Sequence, residues 1–166
     1  MQTEFSGRVW VLGDDIDTDI IIPTEYLALP TIADMAPYAF SPLRPQLAGQ
    51  IQPGDIVVGG KNFGCGSSRE QAPEILKELG LSAIIAKSFA RIFFRNAVNN
   101  GLLLLENADL PDAVTEGDTV AVTVGKQVVH GGKAYPLAPM ADNVLEILES
   151  GGLVAAMQKR NKAGQA

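Results

Sequence analysis

The chain has 166 residues, of which 46% are hydrophobic and 19% are charged, a composition typical of a folded globular protein rather than of a disordered one. This length allows one sizeable core, so we expect a single domain with a mobile tail over residues 161–166. The formal net charge of −6 argues against general affinity for nucleic acid or for anionic membranes.

The ends and the cysteine content narrow the class further. No basic stretch precedes an apolar one at the N-terminus, and no apolar run is long enough to cross a bilayer. We therefore expect a cytoplasmic protein without a membrane partner. The one cysteine, Cys65, excludes an internal disulfide framework and cannot by itself ligate an iron–sulfur cluster.

The first segment combines a short strand with an acidic turn. Residues 8–12 predict the strand, and Asp15, Asp17 and Asp19 follow at alternate positions. A calcium loop also needs glycine at its sixth position and glutamate at its twelfth, where this chain has Ile and Tyr. A calcium site is excluded, and the acids are expected in a solvated turn.

Residues 24–50 contain four prolines, so no long regular element is expected there. Within this segment, Tyr26, Leu27, Ala28 and Leu29 form an uncharged run. The run either covers the apolar part of a ligand or packs against the core.

The middle of the chain predicts an α/β fold. Residues 56–60, 82–86 and 102–105 read as buried strands, separated by helices over 68–79 and about 89–97. Strand–helix–strand order implies parallel pairing with right-handed crossovers. Ligands in such sheets bind beyond the carboxyl ends of the strands, which is where the glycine-rich loop after residue 60 begins.

The last third predicts an antiparallel addition and a final helix. Residues 119–124 and 127–130 are typical of a hairpin. Asp142 is expected to cap a helix that continues through Leu148.

The run from Gly60 to Ala72 carries most of the chemistry. Its glycines let backbone N–H groups approach an anion, and the start of the following helix favours negative charge. Arg69 can hold a carboxylate through two parallel hydrogen bonds, and Ser67 and Ser68 place two hydroxyls beside it. The pattern indicates a site that binds a carboxylate and moves a proton next to it.

A purely structural explanation exists for part of this run. Ser67 and Glu70 have the spacing of a capping box, in which Ser67 would be the N-cap of the helix. Pro73 complicates that assignment, since a proline one turn inside a helix forces a kink or a later start.

Two other chemistries are weaker interpretations. Cys65 with His130 as its base would make a cysteine hydrolase, but a lone cysteine is more often a small buried residue. The spacing of Gly64 and Gly66 begins like a dinucleotide fingerprint, yet Arg69 stands where a third glycine or alanine is required.

Charged residues from two other segments are candidate supports for the site. Asp17 and Asp19 are placed to orient an arginine from the first loop. Arg91 and Arg95 lie four residues apart on the second predicted helix. Either one of them faces the pocket, or both belong to a solvated edge of the helix.

Four segments together resemble a known family. Residues 15–23, 60–72, 87–96 and 101–103 closely resemble the small subunit of 3-isopropylmalate dehydratase, the swivelling β/β/α domain of the aconitase superfamily. The resemblance extends over roughly residues 6–155, and it implies that fold for the whole domain.

The resemblance also implies a mechanism shared between two chains. In that family a large subunit carries a [4Fe-4S] cluster, and the small subunit closes the site in a heterodimer or heterotetramer. By motif, Ser67 would be the catalytic base and Arg69 would bind a substrate carboxylate. Ser68 and Gly66 would help to hold the substrate oxygens. No metal would be bound by this chain itself.

Substrate choice depends on the segment after Tyr26. In related small subunits an arginine there resembles the homoaconitase pattern, whereas this chain has Leu27 and Ala28, which favour an apolar group. Isopropylmalate is therefore preferred over methylmalate (citramalate) or dimethylmalate, and homoaconitate comes last. A non-catalytic module that binds dicarboxylates or nucleotides is the alternative of another class.

Overall fold

A mixed seven-stranded sheet organises the part of the chain described by the structure, residues 3–165 of a computed structural model. In chain order the strands are β1 (Glu4–Val11), β2 (Ile56–Val58), β3 (Ala83–Ala86), β4 (Leu104–Glu106), β5 (Thr119–Thr123), β6 (Gln127–His130) and β7 (Lys133–Pro136). They are ordered β4-β3-β2-β1-β5-β6-β7 across the sheet. β1 to β4 pair in parallel and β5 to β7 add antiparallel pairs, so the predicted fold class is confirmed.

The helices are short except where they cross between parallel strands or close the chain. In order they are α1 (Thr18–Ile21), α2 (Ile32–Met35), α3 (Leu47–Gln50), α4 (Gln71–Glu78), α5 (Arg91–Asn99), α6 (Leu110–Ala113), α7 (Asp142–Glu149) and α8 (Leu153–Gln165). Two 3₁₀ helices, Thr24–Ala28 and Ala36–Tyr38, lie between α1 and α3. Of the helices described, none has the length and apolar character needed to cross a membrane.

Both faces of β2 and β3, and of β4 up to Leu105, are buried, which explains the uninterrupted apolar sequences of these strands. Val57 and Ile84 pack into one cluster with Ile75 of α4. Ile56 and Ile85 point to the opposite cluster, which the antiparallel strands and α7 complete. β5 alternates between exposed and buried positions along most of its length, as expected for a strand with one solvated face.

The proline-rich segment contains only short helices, as predicted, and is packed against the sheet. Phe40 is fully buried, and its N–H donates to the carbonyl of Ile21 over 3.1 Å. Arg44 donates to both carboxylate oxygens of Glu116, just before β5, and its guanidinium lies 5.7 Å from the centre of the Trp10 ring. These contacts fasten residues 24–50 to α1 and to the segments that carry Trp10 and Glu116.

The last third differs from the expectation in the N-cap of its helix and contains one strand more than predicted. Ala141, not Asp142, is the N-cap of α7, because the backbone is still extended at Ala141. The Asp142 carboxylate, at the first helical position, interacts favourably with the helix dipole but makes no capping hydrogen bond. A third antiparallel strand, β7, follows the predicted hairpin. Helix α8 extends to Gln165, and Arg160 fastens it to Glu146 of α7. The mobile tail expected over residues 161–166 stays a prediction, and its last residue lies outside the described residues.

Asp55 links the first two strands through a buried carboxylate. One of its oxygens accepts hydrogen bonds from the Gln52 amide (2.8 Å), the Trp10 indole (2.8 Å) and the Arg8 guanidinium (3.3 Å). Burial raises the pKa of this carboxyl, but the three donors outweigh burial and hold the pKa below its ordinary value of 3.8. The ionised form is therefore part of the folded state.

Replacing Asp55 by Asn is expected to lower the free energy of unfolding at pH 7 by about 1–3 kcal/mol, because three donors lose a charged acceptor. Since the folded pKa is depressed, this contribution is present above the unfolded pKa and is lost as the pH falls through the folded value. Urea unfolding of both proteins between pH 7 and pH 3 measures the difference. The difference in the free energy of unfolding should become smaller below about pH 4. Asp34→Asn, a substitution at an exposed position, is the matched control. A gap that stays constant over this range contradicts the assignment.

Candidate active site

The glycine-rich loop leaves the carboxyl end of β2 and is fastened to the segment that follows β1. The Gly60 and Gly64 amides donate to the carbonyls of Gly13 and Ile16 over 3.0 and 2.7 Å. In the other direction, the Asp15 and Thr18 amides donate to the loop carbonyls of Lys61 and Cys65 over 2.8 and 2.9 Å. The parallel pairing of β1 with β2 thus continues into the loop.

The same loop is fastened on its other side to the segment that follows β3. Phe63 donates to the Ser88 carbonyl and accepts from the Ala90 amide, both over 3.0 Å. The Asn62 amide donates to the Ser88 hydroxyl over 2.9 Å. The Phe63 side chain is fully buried in the hydrophobic core, so it anchors the loop there.

Gly64 is required by both its backbone and its surroundings. Its φ of 83° lies in the left-handed region, and a Cβ added there would lie 2.1 Å from Cγ of Phe93. The close approach brings the loop against the first turns of α5. A larger residue would separate the loop from that helix.

A cavity of about 230 Å³ lies between this loop, α1 and α5. Of the predicted site residues, the cavity is lined by Gly66, Ser67, Ser68, Arg69 and Arg91. Thr18, Ile92 and Asn96, which the sequence analysis does not assign to the site, also line it. A larger, mainly apolar cavity of about 480 Å³ lies beside β4 and shares only Arg91 with the first.

Ser67 does not cap the following helix, so the capping-box interpretation is wrong. α4 begins at Gln71, its N-cap is Glu70, and no side chain hydrogen-bonds at that cap. Pro73 accounts for the late start, because a proline is tolerated only within the first turn of a helix. Ser67 and Ser68 are left on the exposed loop before α4, at the mouth of the cavity.

Arg69 is held from the opposite side of the cavity by α1 and the residues after it. Its Nη1 donates to the Ile22 carbonyl over 2.7 Å, and its Nη2 donates to the Thr24 hydroxyl over 2.8 Å. Asp19 forms an ion pair with the same Nη2. The Arg69 side chain is 15% exposed, so the guanidinium is fixed in place rather than free in solvent.

The two acids of the first loop have different partners. Asp17 accepts from the Ile20 amide over 2.8 Å and caps α1, whereas Asp19 pairs with Arg69. Arg95 is exposed and does not line the cavity, while Arg91 does.

The run from Tyr26 to Ala28, which the sequence analysis predicts to select the substrate, does not line the cavity. Tyr26 stacks on Tyr38 with the ring centres 4.0 Å apart, Leu27 packs on the core, and Ala28 is exposed. All three follow Thr24, whose hydroxyl accepts from Arg69. They are therefore close to the site in sequence but do not line the cavity.

Cys65 and His130 do not form a catalytic pair. Burial raises the pKa of the Cys65 thiol, and the carboxylates of Asp17 and Asp15 raise it further, so the thiolate is disfavoured. His130 lies on β6 with Nε2 2.9 Å from the Asp118 carboxylate. Within residues 3–165, no group of three or more His, Cys, Asp and Glu side chains is arranged to hold a metal ion.

Comparison with known proteins identifies the family. Residues 46–110 match the aconitase C-terminal domain. The 3-isopropylmalate dehydratase small subunit of Lachnospira eligens is 71% identical over 161 residues, which are 97% of this chain and 98% of that protein. The chain belongs to the family of 3-isopropylmalate dehydratase small subunits. The predicted resemblance is therefore confirmed.

A solved structure of this family supports the assignment at the level of the fold. The crystal structure of 3-isopropylmalate dehydratase from Methanocaldococcus jannaschii superposes with a TM-score of 0.91 at 38% identity, over 98% of both chains. A methanogen homoaconitase small subunit from Methanothermobacter thermautotrophicus is also 46% identical, over 93% of this chain and 91% of that protein. Family membership alone thus does not determine which hydroxy acid is bound.

Replacing Gly64 by Ala is expected to lower the melting temperature by several degrees and to impair the site, because the new Cβ is strained at this φ and collides with Phe93. Thermal unfolding of the purified chain measures the effect. Gly13→Ala is the matched control, since nothing lies within 4 Å of a Cβ at that position of the neighbouring loop. Equal melting temperatures for the two variants would contradict the close approach of the loop to α5.

Proposed function

We propose that the chain is the small subunit of a heteromeric hydro-lyase that interconverts 2-isopropylmalate and 3-isopropylmalate, a step of leucine biosynthesis, by dehydration and rehydration. The observation that carries the proposal is that Ser67 and Arg69 line one cavity. The loop that joins β2 to these residues is hydrogen-bonded to its neighbours on both sides. The names of the relatives support the same reaction class.

Ser67 is proposed as the base that removes the proton next to a substrate carboxylate. The absence of a capping bond supports this role, because the Ser67 hydroxyl oxygen accepts no hydrogen bond from the amides that begin α4. A serine exposed to water is a poor base at neutral pH. Closure by a second subunit must therefore exclude water, so that loop amides and nearby positive charge stabilise the ionised oxygen. Elimination gives an unsaturated acid, and water then adds in the other orientation.

Arg69 is proposed to bind the substrate carboxylate beside the reacting carbon. A guanidinium has five N–H donors, and the contacts to Ile22, Thr24 and Asp19 involve only Nη1 and Nη2. The three contacts fix its plane before the substrate arrives. The Asp19 side chain is 64% exposed and can yield its place to a substrate carboxylate. Ser68 and the Gly66 amide are proposed to hold the remaining oxygens.

The partner proposed for this chain is an iron–sulfur large subunit. A single cysteine cannot supply the thiolates of a [4Fe-4S] cluster, so the donors of this chain do not fit that group. When bound by the large subunit, such a cluster supplies Lewis acidity toward the leaving hydroxyl. The small subunit contributes the base and the carboxylate contact from the opposite side.

Ser67→Ala should reduce kcat of the complex with an iron–sulfur large subunit by about 10²–10⁴-fold, the usual contribution of a general base. Reconstituted activity on 2-isopropylmalate is the measurement. Ser82→Ala, the same change directly before β3, is the control and should retain full activity.

Two other results would be decisive. A reconstituted complex that keeps its activity without Ser67 would remove the serine from the mechanism. A wild-type pair inactive on isopropylmalate, methylmalate and homocitrate, combined with tight binding of a dicarboxylate or nucleotide by the free chain, would favour a binding module instead.

Ala28→Arg tests the selectivity of the run after Tyr26. If this run meets the variable group of the substrate, a new guanidinium should raise the ratio of kcat/KM for homocitrate to that for isopropylmalate by about tenfold or more. Ala28→Gln adds length without charge and should leave the ratio nearly unchanged. An unchanged ratio with arginine means that another part of the complex selects the substrate.

A further inference from the structure

Thr18 presents a buried hydroxyl that the fold itself does not use. The residue is 2% exposed, and its Oγ1 has no hydrogen-bond partner within residues 3–165. Its backbone is fully engaged: the amide donates to the Cys65 carbonyl over 2.9 Å, and its carbonyl accepts from the Ile22 amide over 2.9 Å. A buried hydroxyl without a partner costs about 1–3 kcal/mol, so an isosteric valine would suit the same packing better.

The position of Thr18 indicates what the hydroxyl is for. The residue lines the cavity that contains Ser67, Ser68 and Arg69. Its Oγ1 lies on the side of the glycine turn, where a Cβ added to Gly66 would lie only 3.4 Å away. Ser150, whose Oγ also has no partner within the described residues, follows α7 and does not line this cavity. Of these two unpaired buried hydroxyls in residues 3–165, the one on Thr18 is therefore the one placed to meet a ligand in this cavity.

We propose that Thr18 is a substrate-binding residue whose hydroxyl donates a hydrogen bond to an oxygen of the bound hydroxy acid, next to the group held by Arg69. The inference depends on the proposed function for the identity of the ligand. The ligand supplies the acceptor that the fold lacks, so part of the cost of burying the hydroxyl is recovered when the substrate binds. The role is one of binding and orientation, and no proton is transferred through Thr18.

A substrate-binding role and a structural role predict opposite effects of removing the hydroxyl. Thr18→Val keeps the branched shape and deletes the oxygen, whereas Thr18→Ser keeps the oxygen and deletes the methyl group. If the hydroxyl serves the substrate, the free Thr18→Val chain melts at the same temperature as wild type or higher. The reconstituted Thr18→Val complex then loses about tenfold or more in kcat/KM on 2-isopropylmalate, mainly through KM. Thr18→Ser restores most of that loss.

Two outcomes overturn the inference while leaving the proposed function intact. One is an active complex whose kcat/KM does not change with Thr18→Val. The other is a Thr18→Val chain that melts several degrees lower while Thr18→Ser does not, because that pattern belongs to a hydroxyl bonded within the fold. A wild-type complex that is inactive on every hydroxy acid tested refutes the proposed function, and the inference with it.

Discussion

The structure depends on the backbone hydrogen bonds that fasten the loop after β2 to its neighbours on both sides. Gly60, Lys61, Gly64 and Cys65 exchange bonds with the segment after β1, and Gly60 and Phe63 exchange bonds with the segment after β3. A loop with so many paired amides has few ways to move without breaking several bonds at once. The loop at the carboxyl end of β2 is therefore held rigidly, and this fixes the point from which the segment with Ser67 extends.

The proposed site residues Ser67, Ser68 and Arg69 lie on the loop before α4, and not in its first turn, because Pro73 delays the start of the helix. Had α4 begun at Ser68, the hydroxyl of Ser67 would have accepted from the helix amides and lost its freedom to meet a ligand. Pro73 moves the start to Gln71, and Glu70 takes the N-cap position without a side-chain bond. The segment from Gly66 to Arg69 is thus exposed loop that ends in one anchored side chain, since Arg69 is held by α1. Anchoring at both ends keeps an exposed segment in position.

Periodicity in the sequence was sufficient for the sheet and its crossovers, because β2, β3 and β4 are buried on both faces and their apolar runs are unmistakable. It was insufficient for β7, whose sequence is mostly exposed, and for the short helices over residues 18–50, which depend on tertiary packing. The motif around Ser67 pointed to the site itself. Thr18 could not be found in this way, because an unpaired hydroxyl is a property of the folded surroundings and not of local spacing.

The cavity by itself is too exposed to solvent for the proposed reaction. Ser67 and Ser68 are exposed, and Ile92, which also lines the cavity, is 58% exposed. Water at these groups keeps a serine protonated and weakens every charge interaction with a ligand. Arg69, which is held by three partners and is 15% exposed, and Thr18, which is buried beside the glycine turn, are the residues proposed to orient the ligand. The groups that remain exposed are those whose chemistry requires water to be excluded, which is why a covering large subunit and the proposed reaction depend on each other.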